Sequence, residues 1–154
     1  MVLKSIRVIT RTASETQKLA EKLAGFLFAG SLITLSGQLG AGKTTFTQGL
    51  GKGLNIRKNI TSPTFTLLKI YHGDLPLYHI DAYRLEGLGQ DLGFEEYIES
   101  DGVCVIEWSH FISDLLPEER INIEINILAD DSRELLITAY GKEYERILDS
   151  LCIQ

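Results

Sequence analysis

Cysteine is scarce in this chain: two residues in 154, Cys104 inside an apolar run and Cys152 near the end. Neither metal-ligand spacing nor a disulfide framework can be made from that pair, so the chain reads as a protein of a reducing cytosol with buried thiols. Basic clusters are missing as well. Lysine and arginine number 15 against 21 acids, leaving a net charge of −6 and an isoelectric point near 5.1. Phosphate-backbone affinity comes from grouped Lys and Arg, so a free-standing nucleic-acid binder is disfavoured. Long apolar runs are absent too. The least polar stretch, Leu23 to Leu35, is too short to span a bilayer, is broken by Gly25, Gly30 and Ser31, and follows no N-terminal signal architecture. A soluble, cytoplasmic protein is expected.

What the chain does have is an ordinary globular composition, 44% hydrophobic and 23% charged, with no linker, repeat or low-complexity tract. Its length fits a single domain spanning residues 1–154. Directly after the β-like run SLITLS stands GQLGAGKTT, Gly37 through Thr45. Gly37, Gly42, Lys43 and Thr44 satisfy G-x-x-x-x-G-K-[ST], and Gly40 adds a third residue without a Cβ. Such a loop can turn its amides, those of Ala41 and Thr45 included, inward around an anion. The helix start behind it adds unpaired N–H groups and a positive dipole end. Lys43 would reach the β- and γ-phosphates as a point charge, and the Thr44 hydroxyl would take one position on Mg²⁺. A flexible Gly-rich turn is the alternative, but a strand at Leu32 to Leu35 and a helix from Lys43 to about Leu50 supply the context the motif needs. The expected ligand is a nucleoside triphosphate.

Periodicity places the remaining elements. Lys4 to Thr10 reads as a strand. Thr12-x-x-Glu15 and Ser14-x-x-Gln17 are overlapping capping boxes ahead of an amphipathic helix reaching about Phe28. Gly49, Gly51 and Gly53 mark the end of the phosphate-loop helix. Thr66 to Tyr71 and Leu77 to Tyr83 form a hairpin around Gly73, Asp74 and Pro76. A short helix near Asp91 to Ile98, a strand Val103 to Ile106, a helical turn before Pro117, strands Ile121 to Ile127 and Glu134 to Ala139, and a helix from about Lys142 complete the order. An α/β fold follows, P-loop NTPase-like, with a mixed β-sheet and helices on both faces.

Three further segments bear on chemistry. In GVCVIEW a buried-looking strand ends in Glu107; ligands of open α/β sheets sit at the carboxyl ends of strands, so this acid would face the phosphate loop as a Mg²⁺ ligand or else be a surface carboxylate. Trp108 follows it where many P-loop ATPases carry a water-activating acid, so the general base comes from elsewhere or hydrolysis is slow. In YHIDAYR, alternation puts His79, Asp81 and Tyr83 on one face; Asp81 is the candidate to orient water or a metal-bound water, a half-exposed strand the plainer reading, and Arg84 could pair with a surface acid. In TSPTF, Pro63 stiffens a loop whose hydroxyls, Thr64 among them, could sense the γ-phosphate or simply form an ST-rich turn.

Rival functional classes lack their marks. A small P-loop kinase usually needs an Arg-rich lid, whereas the seven arginines are scattered from Arg7 to Arg146. A GTPase would need N-K-x-D, which is absent, so ATP is favoured. A nucleotide-gated binding module with little turnover stays open, given Trp108 after Glu107.

GQLGAGKTT, SPTFTLL, YHIDAYRL and VIEWS, in that order over nearly the whole chain, resemble the TsaE (YjeE) family, bacterial ATPases of tRNA modification. The resemblance implies work with partner proteins TsaB and TsaD in forming N6-threonylcarbamoyladenosine next to the anticodon of tRNAs reading ANN codons. Contact with tRNA is then indirect, through the complex, and no DNA binding is expected. It also implies that Thr44 and Glu107 bind Mg²⁺ and that Lys43 binds the phosphates of ATP. Residues before the first helix, about Thr12, Ala13 and Ser14, and Arg133 are implied to lie around the nucleotide. Gln38 departs from the family's frequent Asp, at a position with no expected catalytic task.

Overall fold

Apolar residues alternate between two faces along the strands, and both faces are covered. In β5 (Val103–Glu107), Val103 and Val105 enter one buried cluster while Cys104 and Ile106 enter another. A strand buried on both sides belongs to the middle of a largely parallel sheet. The computed structural model describes residues 3–38, 40–61, 68–82, 95–98, 100–107 and 116–152. Within them the order is β1 (Leu3–Thr10), α1 (Ala13–Ala24), β2 (Leu32–Gly37), α2 (Lys43–Gly53), β3 (Leu68–Tyr71), β4 (Leu77–Asp81), α3 (Glu95–Ile98), β5, β6 (Arg120–Ile127), β7 (Arg133–Tyr140) and α4 (Lys142–Cys152). Ser62 to Leu67, Tyr83, Arg84, Asp91 to Phe94 and Trp108, which figure in the expectations above, lie outside the described residues, as do residues 108–115 before Pro117.

The strands form one sheet in the order β1-β7-β6-β2-β5-β4-β3. β6, β2, β5 and β4 run parallel, β7 is antiparallel to β1 and β6, and β3 is antiparallel to β4. This is the mixed sheet that the hairpin foretold. α1, α2 and α4 share the larger cluster with Ile33 and Leu35 of β2 and Ile121, Ile123 and Ile125 of β6. On the opposite face Ile98 of α3 joins Leu32, Ile80, Cys104 and Ile106. Among the described residues no helix is long and apolar enough to cross a membrane.

Four local readings are corrected in whole or in part. α1 ends at Ala24 rather than near Phe28, because Gly25 N and Phe26 N turn back to Lys22 O and Leu23 O at 3.2 and 3.0 Å, the tight i→i−3 pattern that closes a helix. Its capping box is Thr12 with Glu15: Glu15 N donates to Thr12 Oγ1 at 3.1 Å and Arg11 N donates to Glu15 Oε1 at 2.9 Å. Ser14 sits inside the first turn, so the second box does not form. Gly53 closes α2 as expected, but Gly49 and Gly51 stand inside its last turns. The glycines are there for contact: a Cβ on Gly49 would sit 2.4 Å from Gln17 O, and one on Gly53 would sit 2.5 Å from Ala24 Cβ. The bare helix face lets α2 press against the backbone of α1. Cys104 is buried as expected, but Cys152 is exposed at the end of α4.

Parallel alignment sets out the site. Leu35 of β2 and Asp81 of β4 both pair with Glu107 of β5, so the carboxyl ends of three neighbouring strands finish together where the glycine loop leaves β2.

Candidate functional site

The loop between β2 and α2 needs its glycines for geometry. Gly37, Gly40 and Gly42 have φ of +151°, +81° and +114°, a region disfavoured for side-chain-bearing residues. Gly37 is held twice over, since a Cβ there would meet Ile125 O of β6 at 2.4 Å. Gly42 is the N-cap of α2 and supplies no side-chain cap. The first-turn amides of α2 are therefore left for another acceptor, and the positive end of the helix dipole faces the same place. That combination is the backbone geometry that suits an anion.

Lys43, the first residue of α2, is buried, and its Nζ donates to Gly37 O at 2.7 Å and Gln38 O at 3.3 Å. The ammonium thus lies across the base of the loop. Burial pulls the Lys43 pKa below its ordinary value, opposed by the charges of Glu107 and Asp81. Asp81 and Glu107 stand opposite each other in register at the ends of β4 and β5, the same end of the sheet as the loop. Thr44 follows Lys43, partly exposed.

Glu107 is the last residue of β5 and is buried at 4% exposure. The surface-carboxylate alternative is thereby removed. His79 is fully buried, and its Nε2 lies 2.5 Å from Glu107 Oε2. β4 is buried on both faces at Leu77, His79 and Ile80, so it is not a half-exposed strand. Asp81, opposite Glu107 in register, is partly exposed. Among the described residues no group of three His, Cys, Asp or Glu side chains could alone hold a metal. Hard oxygen donors do converge here, however, with the Glu107 carboxylate and that of Asp81 next to the loop. Mg²⁺ is commonly held by one or two carboxylates, with water and substrate phosphates completing the shell, so the residues fit that ion.

A second group lies on the other side of the loop. Thr12, Ala13, Gly40, Ala41, Gly42, Thr45 and Arg133 line a cleft of about 170 Å³. The join is made by the sheet: Thr10 pairs with Arg133 across β1 and β7, bringing the start of α1 and the start of β7 to the same edge of the loop. Arg133 Nε donates to Ala41 O at 3.0 Å, and its Nη1 donates to Asp131 O at 2.6 Å. Thr12 has its hydroxyl engaged as the α1 cap. Arg11, Thr16 and Asp131 also line the cleft and were not foreseen. Asp131 did carry a signal, the Asp-Asp-Ser turn between two strands, where it adopts φ +67°.

A family model described as threonylcarbamoyl adenosine biosynthesis protein TsaE matches residues 10–135. The chain is 46% identical over 150 residues to the tRNA threonylcarbamoyladenosine biosynthesis protein TsaE of Bacillus subtilis, covering 97% of this chain and 95% of that one. It is 45% identical over 134 residues to the protein of the same name from Treponema pallidum, covering 86% and 99%. A crystal structure of Bacillus subtilis YdiB superposes with a TM-score of 0.84 at 42% identity, over 99% of this chain and 97% of that one.

Proposed function

The chain belongs to the TsaE family of threonylcarbamoyladenosine biosynthesis proteins, and from that premise we propose that it is a Mg²⁺-dependent ATPase serving formation of N6-threonylcarbamoyladenosine next to the anticodon of tRNAs reading ANN codons. TsaB- and TsaD-like proteins are its partners, in the cytoplasm, and tRNA is reached only through them. On this reading residues 1–154 are one P-loop ATPase domain. The observation that supports it best is the uncapped start of α2 beside Lys43, with Glu107 and Asp81 at the ends of the adjoining strands.

Each residue has a task that its position allows. The amides of Gly40, Gly42, Thr44 and Thr45 bind phosphate oxygens, that of Ala41 joins them by giving up its 3.0 Å bond to Gln38 O, and the glycines keep side chains out of that space. Lys43, already held against Gly37 O and Gln38 O, exchanges those carbonyls for phosphate oxygens when ATP enters. Thr44 and Glu107 would hold Mg²⁺, which when bound neutralises charge on the β- and γ-phosphates. Asp81 accepts a hydrogen bond from water and orients it. Thr12, Ala13 and Arg133 line the cleft beside the loop and take the rest of the nucleotide.

Turnover by the chain alone is slow. Trp108 follows Glu107 in place of a second acid, and no Arg-rich segment stands ready to stabilise charge on the γ-phosphate. An arginine supplied in trans can raise phosphoryl-transfer rates by about 10³ to 10⁵, so partner association sets the rate. The test measures ATP hydrolysis and threonylcarbamoyladenosine formation with a TsaB–TsaD pair, for the parent chain and Lys43→Ala. Repeated modification cycles with the variant at the parent's rate would remove nucleotide turnover by this chain from the pathway. Efficient phosphorylation of a small metabolite by the chain alone would replace the reading with that of a kinase.

A further inference from the structure

His79 is a buried imidazole that the proposed chemistry leaves without a task. It sits in the middle of β4, fully buried, with Leu77 and Ile80 on its own strand also fully buried. Burying an imidazole in such surroundings is costly unless its nitrogens are satisfied. Only one is: Nε2 meets Glu107 Oε2 at 2.5 Å, while Nδ1 has no hydrogen-bond partner among the described residues. A histidine kept for packing alone could be replaced by an apolar side chain at no such cost. The contact to Glu107 is therefore what this position supplies.

The backbone aims the contact. β4 and β5 are parallel, with His79 opposite Val105 and Asp81 opposite Glu107. His79 thus reaches diagonally, one strand over and toward the carboxyl end, to the acid that closes β5. An ionised Glu107 is acceptor-only, so Nε2 carries the proton and donates. The bond commits Oε2 and fixes the carboxylate plane, leaving Oε1 as the oxygen not engaged by His79. A glutamate has three side-chain torsions, and an undirected carboxylate at the end of a strand would sample several of them.

We propose that His79 is a positioning residue that orients the Glu107 carboxylate for metal-bound nucleotide. The inference rests on Glu107 being the metal-binding acid proposed above. Partners that orient a ligand in this way are commonly worth ten- to a hundred-fold in metal affinity. The donor's place matters as much as its presence. The amide nitrogen of glutamine can fall near the site of histidine Nε2, whereas that of asparagine falls near Nδ1.

The experiment compares the parent chain with His79→Gln, His79→Asn and Glu107→Gln. Calorimetry follows a non-hydrolysable ATP analogue as Mg²⁺ is raised, and again in EDTA; circular dichroism melting confirms that each variant is folded. His79→Asn should raise the Mg²⁺ concentration giving half-maximal enhancement of binding by about ten-fold or more, with affinity in EDTA unchanged. His79→Gln should recover most of that shift. A purely structural histidine predicts no such ranking, because both amides would disturb packing and neither would move the Mg²⁺ midpoint selectively. Equal midpoints in the parent and His79→Asn, or equal shifts in Asn and Gln, would overturn the inference. Should His79→Asn not fold, a shift in His79→Gln as large as that in Glu107→Gln would overturn it, and a much smaller one would support it. An unshifted midpoint in Glu107→Gln would instead overturn the metal-site reading, and this inference with it.

Discussion

Arg133 and Ala41 are 92 positions apart, yet Arg133 Nε donates a 3.0 Å hydrogen bond to the Ala41 carbonyl and so fastens the first residue of β7 to the middle of the glycine loop. Ala41 is buried, and the same arginine is held by Asp131 on its other edge. The loop's shape is thus set partly by the turn between β6 and β7, at the same end of the sheet. Arg133→Ala should weaken ATP binding by about ten-fold, the order expected for losing a hydrogen bond from a charged group. Arg133→Lys should recover only part of that, because one ammonium cannot serve Ala41 and Asp131 with the guanidinium's planar geometry. Calorimetry on both variants checks this, and parent-like affinity for Arg133→Ala would remove the tether from the binding site.

Lys43→Ala should abolish measurable triphosphate binding. The ammonium is buried at the base of the loop, and loss of such a charge from a phosphate cradle is not offset by the remaining amides. A calorimetric titration with ATP is sufficient, and undiminished affinity would sink the phosphate-loop assignment.

Glu107→Gln should leave the nucleotide bound through the loop amides while hydrolysis falls by roughly a hundred-fold, since the loss is of a metal-binding charge. Asp81→Ala should likewise slow turnover more than it weakens binding. Rates and affinities measured on the same preparations separate the two effects; turnover at the parent level would return either acid to a purely structural role.

Gly49→Ala should destabilise the fold by about 1–3 kcal/mol, a typical cost of overpacking. Alanine favours helix over glycine by about 1 kcal/mol, but the new Cβ would lie 2.4 Å from Gln17 O and 2.8 Å from Gln17 Cα, backbone atoms that cannot swing aside. The clash outweighs the propensity. Urea denaturation followed by circular dichroism gives the sign; a midpoint at or above the parent's would show that α1 and α2 can separate freely.

The two thiols should be distinguished by a disulfide reagent at pH 8. Burial pushes the Cys104 thiol up to about 12, so almost no thiolate exists there, whereas Cys152 is exposed. One thiol per chain should react in the native protein and two in denaturant. Rapid reaction of both in the native state would contradict the buried position of Cys104.

Short-range pattern determined a good deal of this protein. The spacing of Gly37, Gly42, Lys43 and Thr44 settled the strand–loop–helix, because the φ values and the uncapped helix start that the loop requires depend on residues within a few positions of one another. Alternation settled the strands, and Thr12 with Glu15 settled the start of α1. Tertiary structure decided the rest. Gly49 and Gly53 read locally as helix-end signals; Gly53 does end α2, but Gly49 stands inside it against the backbone of α1, and no periodicity reports the distance to a neighbouring helix. Alternation placed His79 and Asp81 on one face but could not say what that face met. The parallel pairing of β4 with β5 brought His79 to Glu107, and the pairing of β1 with β7 brought Arg133 to the loop. Which strands lie side by side depends on packing across the whole sheet, so contacts between chemistry-bearing residues 28 and 92 positions apart exist only once that packing is made.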